Sequence, residues 1–294
     1  MNRPSLILLV GIPGSGKTTY AEKYIEENPN TVHLSSDKIR AELWGNEATQ
    51  GDNNEVFSLM QSRAIEALNN GQNVVYDATN ITRKDRSYII ALCPKFVKIE
   101  CHIIWAPIET CIERDAARER TVGKEIIDRM LKRFQAPYYD EGIQEIKIVR
   151  PDNFNYGQYL GDLFDAMKIP HDNPHHTLNI YDHCGEAQDY VYRCGKDDTG
   201  LMSLAAMMHD TGKPYTKAFI DSKGNSCETA HYYQHQCVGA WIAYCLYGES
   251  CPVDVAWLVS VHMDPFLNTK YYNKLPAYLK KQVDLLHEAD LAAH

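Results

Sequence analysis

The 294-residue sequence predicts an α/β domain, a parallel sheet flanked by helices, followed by an all-α domain. Three observations carry this. Residues 5–150 alternate short apolar runs with amphipathic stretches, as parallel strands joined by crossover helices do. Beyond residue 174 apolar residues recur at helical spacing, and the one strand-like run is Ala218–Ile220. Between them, Arg150–Pro174 gathers three prolines, two glycines and several Asp and Asn, the composition of a boundary. The expected domains are 1–152 and 153–294.

The elements follow in order. Ser5–Val10 is an apolar run of strand length that feeds a glycine-rich turn and a helix from Lys17. Thr31–Leu34 is the second strand, with helices starting near Asp37 and Asn53. Asn73–Tyr76 and Phe96–Ile104 are the third and fourth, separated by a helix from near Thr82. Helices near Ile108 and Lys124 then lead to a last strand, Ile143–Val149.

Composition narrows the function classes. A net charge of −9 argues against non-specific binding to long duplex nucleic acid, which needs many cationic phosphate contacts, but not against gripping one strand end. Residues 1–150 carry 20 Lys/Arg against 21 Asp/Glu, and residues 151–294 carry 10 against 18. Ten of the twelve histidines also follow residue 150, so the second half holds a metal-ligand palette. The nine cysteines include no C-x-x-C pair and read as reduced thiols in a cytoplasm. Leu6–Val10 is too short for a signal peptide's apolar core, and no membrane association is expected.

The string GIPGSGKT, Gly11–Thr18, directly follows the first strand. Gly11, Gly14 and Gly16 allow positive φ and close approach, so backbone N–H groups, with Ser15 and Thr19 beside them, can surround nucleotide phosphates. Lys17 would reach the β- and γ-phosphates and the Thr18 hydroxyl would bind Mg²⁺. The acceptor side lies in LSSDKIR, where Asp37 is placed to take a proton from a hydroxyl, or else to cap the helix. Arg40 shares its face and could hold an acceptor phosphate. Asp77 ends a buried strand, the place for a carboxylate that organises metal-bound water; a turn formed by Asp-Ala-Thr-Asn is the alternative. Arg114 and Arg118, four apart with Arg120 nearby, would share a helical face over the transferring phosphate, unless they form a solvated one.

These segments resemble the 5′-kinase module of bacteriophage-type polynucleotide kinases over about the first 150 residues. The resemblance implies that Asp37 deprotonates a 5′-hydroxyl, Arg40 holds the acceptor phosphate and Arg118 stabilises the phosphate in flight, with ATP or another NTP and Mg²⁺ as cofactors.

In the second half His209-Asp210 closes the apolar run Leu201–Met208 and precedes Thr211-Gly212-Lys213-Pro214. Both side chains can converge on one ion. Further ligands would come from His176 or His183, His231 or His235, His262, and Asp290. The order H-T-L at His176, M-M-H-D-T-G-K-P, H-x-x-x-G-A at His235, H-M at His262 and E-A-D-L resembles the HD-domain phosphohydrolases. That resemblance maps four ligands to His176, His209, Asp210 and Asp290, and the extra pair of two-metal members to His235 and His262. One or two divalent transition metals (Mn, Fe, Co, Ni or Zn) would polarise water and neutralise the attacked phosphate, sharing Asp210 if two are bound. Lys213 is placed to contact that phosphate or to cap the helix.

Together the resemblances imply an α/β P-loop kinase domain followed by an all-α HD domain, a bifunctional RNA end-healing enzyme. It would phosphorylate 5′-hydroxyl ends and remove 2′,3′-cyclic or 3′-phosphates. The partners implied are RNA or DNA strand ends and a ligase acting downstream; a homo-oligomer is compatible. Two alternatives stand: a small-molecule or nucleoside kinase fused to a nucleotide phosphatase, and an ATP-responsive switch regulating the hydrolase.

Overall fold

The computed structural model describes residues 3–46, 51–152, 154–173, 177–195, 199–247 and 251–293. The chain divides into two compact units, one of residues 1–130 and 137–152, the other of 131–136 and 153–294.

In the first unit β1 (Ser5–Val10), β2 (Thr31–Ser35), β3 (Asn73–Asp77), β4 (Lys98–Ile104) and β5 (Glu145–Val149) form one parallel sheet, ordered β2-β3-β1-β4-β5. The helices are α1 (Lys17–Glu27), α2 (Ser36–Trp44), α3 (Asn53–Asn69), α4 (Arg83–Leu92), α5 (Ile108–Ala116) and α6 (Lys124–Leu131). Central β1 is apolar because it is covered on both faces, and Leu6 to Val10 have no exposed surface. This strand order makes the carboxyl end of β1 the switch point, where open parallel sheets hold their ligands. Ser35 pairs in register with Asp77, so the ends of β2 and β3 lie level beside it.

Two strands start later than the apolar runs suggest. A turn closed by Val97 N–H on Pro94 O, 2.9 Å, leaves Phe96 outside the sheet. Gly142, at φ 87°, turns the chain before β5.

The second unit comprises α7 (Tyr156–Ala166), α8 (Ile180–Arg193), α9 (Leu201–Met208), α10 (Lys213–Thr216), α11 (His235–Ala243) and α12 (Pro252–Val261). Two single turns, α13 (Asp264–Leu267) and α14 (Thr269–Tyr272), precede the long α15 (Ala277–Ala292). It is not all-α. Strands β6 (Lys217–Ile220) and β7 (Ser226–Tyr232) pair antiparallel between α10 and α11. Asp221 turns this hairpin by accepting from Lys223 N–H and Asn225 N–H, each at 2.8 Å, with Gly224 at φ 87°. Residues 131–136 belong here: Phe134 meets the rings of Trp241 and Tyr244 edge-on, and Ala136 N–H donates to Ser260 Oγ at 3.3 Å. Among the described residues no helix is long and apolar enough to cross a membrane.

Candidate functional sites

In the first unit the glycine turn links β1 to α1. Gly14 and Gly16 take φ 78° and 103°. A Cβ on Gly14 would lie 2.1 Å from Cys111 O, so only glycine fits. Lys17 Nζ donates to Ile12 O at 3.0 Å, its ammonium folded over the turn. Burial lowers the Lys17 pKa, an effect that Asp77 opposes and Arg118 reinforces. Both groups therefore lie within electrostatic reach of the lysine. The Ser15 hydroxyl is buried with no partner among the described residues, while Thr18 and Thr19 face solvent at the start of α1. A glycine turn at a helix start, with a lysine and exposed hydroxyls, suits a nucleotide phosphate with Mg²⁺.

The capping alternatives for the two carboxylates fall to other residues. Ser35 caps α2, accepting from Lys38 N–H at 3.4 Å, which leaves Asp37 in the first turn with its carboxylate half-exposed. Asp37 Oδ1 accepts from Arg40 at 2.7 Å and lies 3.7 Å from Arg120. Arg40 also reaches Asn53 Oδ1, 3.3 Å. Beside the loop, Asn80 shapes the turn after β3 by donating to Leu9 O at 2.8 Å, so Asp77 is free of that duty. Asp77 instead meets His33 Nε2 at 3.1 Å, both side chains being almost wholly buried. His33, which belongs to none of the sequence motifs, is thus attached to the site.

The arginines need a correction. Helix α5 ends at Ala116, so Arg114 and Arg118 do not share a helical face. The chain turns there because the buried Asp115 carboxylate accepts from Val122 N–H and Gly123 N–H, the latter at 2.9 Å. Arg118 and Arg120 therefore project from a loop pinned back on Asp115.

In the second unit, six side chains form two overlapping sets. His183, His209, Asp210 and Asp290 make one, and Asp210, His235 and His262 the other, with donor atoms within 4.8 Å of one another in each. Asp290 Oδ1 lies 3.0 Å from His183 Nε2 and 3.4 Å from His209 Nε2; Asp210 Oδ1 lies 3.2 Å from His235 Nε2. The histidines are oriented alike. Each Nδ1 meets a backbone carbonyl: His183 that of Ala293 at 2.8 Å, His209 that of Ala206 at 2.6 Å, His235 that of Tyr232 at 2.9 Å, and His262 that of Val259 at 2.8 Å. With those N–H groups committed, the four Nε2 atoms are left to face the carboxylates of Asp210 and Asp290, which is how metal-binding imidazoles are held. His209 Nε2 is buried without a hydrogen-bond partner among the described residues. Burial opposes ionisation of Asp210, yet His209 and Lys213 hold its pKa well below the usual carboxylate range; burial likewise opposes and His183 and His209 lower Asp290. Burial, then His235 and His209, pushes His262 down to about 3, leaving it neutral as a ligand must be. This donor set fits one or two divalent transition metals.

His176 lies outside the described residues. His183 is the histidine that joins the cluster before His209. His231 is not a member of either set; it stacks on Tyr233 at 5.4 Å between ring centres. The helix bearing Asp290 is anchored by buried Leu279, Val283, Leu286 and Ala289. Lys213 starts α10, with Nζ 2.5 Å from Asp210 Oδ2 and 3.2 Å from His171 Nε2. His171 was missed because it follows Pro170 in the stretch that reads as a linker.

Residues 6–137 match the model of the AAA domain family. With its sheet order and phosphate loop, the first unit is a kinase-like P-loop domain. Among curated proteins, L-seryl-tRNA(Sec) kinase of Methanococcus maripaludis is 26% identical over 175 residues, covering 54% of this chain and 65% of its own. The 6-phosphofructo-2-kinase/fructose-2,6-bisphosphatase of Aquarana catesbeiana is 30% identical over 107 residues, 30% of this chain and 23% of the relative. Among solved structures, one chain of a Pnkp1/Rnl/Hen1 complex is 26% identical with a TM-score of 0.37, over 42% of this chain and 43% of that one. The chain thus spans less than two thirds of each of these three.

Proposed function

We propose that the protein heals nucleic-acid ends, the first unit phosphorylating a 5′-hydroxyl and the second removing a 2′,3′-cyclic phosphate or 3′-phosphate. The observation that carries this is Asp37: relieved of capping by Ser35, its half-exposed carboxylate is held by Arg40, lies 3.7 Å from Arg120 and is within electrostatic reach of Lys17.

In the kinase reaction the loop N–H groups and Lys17 hold the β- and γ-phosphates, Lys17 exchanging Ile12 O for phosphate oxygen. Arg40 moves from Asp37 to an acceptor phosphate, and Asp37 takes the proton of the 5′-hydroxyl as its oxygen bonds to the γ-phosphorus and ADP departs. Arg118 balances the charge on the phosphoryl in transit, and Thr18 would hold Mg²⁺, which would supply further charge neutralisation there. In the second unit His183, His209, Asp290 and Asp210, with His235 and His262, would hold the metals. Bound metal supplies polarised water and charge neutralisation at the phosphate. Lys213 contacts a phosphate oxygen.

The test gives the full chain a short RNA with 5′-hydroxyl and 2′,3′-cyclic phosphate ends, ATP, Mg²⁺ and Mn²⁺ or Ni²⁺. Both ends should change, Lys17→Ala abolishing only the first reaction and Asp210→Ala only the second. Turnover of nucleosides or nucleotides with both RNA ends untouched would replace this reading with the second one, a small-molecule kinase joined to a nucleotide phosphatase. That second reading draws on the match to a protein named 6-phosphofructo-2-kinase/fructose-2,6-bisphosphatase. If Asp37→Ala leaves all nucleotide-linked behaviour unchanged, the P-loop unit acts as a switch instead.

A further inference from the structure

Lys213 is 7% exposed and its ammonium has three neighbours among the described residues. Nζ lies 2.5 Å from Asp210 Oδ2, 3.2 Å from His171 Nε2 and 5.3 Å from the centre of the Tyr232 ring. The seat is built. His171, 1% exposed, commits Nδ1–H to Leu178 O at 2.9 Å, so Nε2 presents a lone pair to the lysine. The Tyr232 hydroxyl in turn donates to the His171 carbonyl, fixing the ring face beneath Nζ.

Neither His171 nor Tyr232 belongs to a metal-ligand set, whereas Asp210 belongs to both. Metal engaging the Asp210 oxygens would compete with the ammonium, now at 2.5 Å, for the same negative charge. A lysine this buried needs another partner at that point, because an unpaired buried charge is strongly unfavourable. The imidazole lone pair and the aromatic face remain available to it.

We propose that His171 and Tyr232 are positioning residues that seat the Lys213 ammonium as a phosphate-binding group once Asp210 turns to metal. In the metal-free chain Lys213 neutralises Asp210. In the loaded chain it stays on His171 Nε2 and the Tyr232 ring, with an N–H free for an oxygen of a phosphate monoester or cyclic phosphodiester. This rests on the hydrolytic reading of the second unit and adds what holds its phosphate-binding cation.

The experiment uses the full chain, stripped with a chelator, titrated with Mn²⁺ and then with inorganic phosphate by calorimetry, the metal-stripped chain serving as the blank. Lys213→Met should bind Mn²⁺ more tightly, since it removes a competitor for Asp210, and should lose Mn²⁺-dependent phosphate binding. His171→Phe and Tyr232→Leu should bind the same number of Mn²⁺ ions but phosphate about tenfold more weakly, the scale of a lost contact to a charged group. His171→Gln, which keeps an acceptor, and Tyr232→Phe, which keeps the ring, should stay within about threefold of wild type. If His171→Phe and Tyr232→Leu bind phosphate like wild type while Lys213→Met does not, the seat is wrong and the metal reading survives. A wild-type chain that takes up no Mn²⁺, or binds phosphate no better when loaded, overturns both.

Discussion

Gly14 shows what the fold adds to a motif: it fills an x position of G-x-x-x-x-G-K-T, yet the chain there takes φ 78° against the Cys111 carbonyl, which requires glycine. Gly14→Ala must move the loop, because the neighbour at 2.1 Å is backbone and cannot rotate away. ATP affinity should fall to background while metal uptake by the second unit stays intact; unchanged ATP binding by calorimetry would refute this. Asp37→Asn tests the proposed base. It should keep ATP binding and lose about 10²–10⁴-fold in kcat, the range for removing a general base, and a kcat near wild type would exclude the role. The roles of Asp37 and Asp77 were ambiguous in sequence because a serine, aspartate or asparagine can each cap or turn. Only the fold shows Ser35 and Asn80 doing so. His33 and His171 were not legible at all, since what ties each to a site is a partner distant in the chain, Asp77 in one case and Lys213 in the other.

At the scale of elements, the buried strands were legible because apolar runs between turn residues have few other fates, and β1 was bounded to the residue. The β6–β7 hairpin was half missed: most of its residues are partly or fully exposed, so β7 carries no apolar alternation. The end of α5 was also unreadable, for it depends on Asp115 receiving two N–H groups from residues seven and eight positions on. The buried Arg86–Glu141 pair, two contacts of 2.7 Å, ties α4 to the turn before β5, and Arg86 also donates to Asn80 O at 3.0 Å. Removing one partner strands the other charge, so Glu141→Ala should lower the stability of the first unit by about 3–5 kcal/mol in urea unfolding. Replacing both, Arg86→Met with Glu141→Leu, should recover most of that loss. A single substitution costing under ~1 kcal/mol would show the pair to be dispensable.

For the whole molecule, the two units should respond differently to acid, and the sign follows from which groups are displaced. In the metal-free second unit, burial and Lys213 push His171 down to about 4, and burial with the nearby His235 and His209 rings pushes His262 to about 3, both below the ordinary 6.5. The unfolded chain then binds protons that the folded one refuses, so stability from these groups is complete above pH 6.5 and declines as pH falls toward those values. His209 is displaced upward despite its burial, by Asp210, and so adds no loss on acidification. The first unit differs: Glu100 is held at about 2, against an ordinary 4.5, by its contact with His102, outweighing burial, and by Ser5 and Lys98. Its contribution is complete above pH 4.5 and is lost only as pH falls toward 2. Between pH 6.5 and 4.5, therefore, the second unit should weaken first. Hydrogen exchange on chelator-treated protein should show protection falling in α8, α9 and α12 across that window, while β1 and β4 stay protected. Excess Mn²⁺ should shift the loss to lower pH, since metal competes with protons for the same Nε2 atoms. Loss of protection in β1 at or before α9 would reverse the assignment of which buried histidines are neutral in the folded chain.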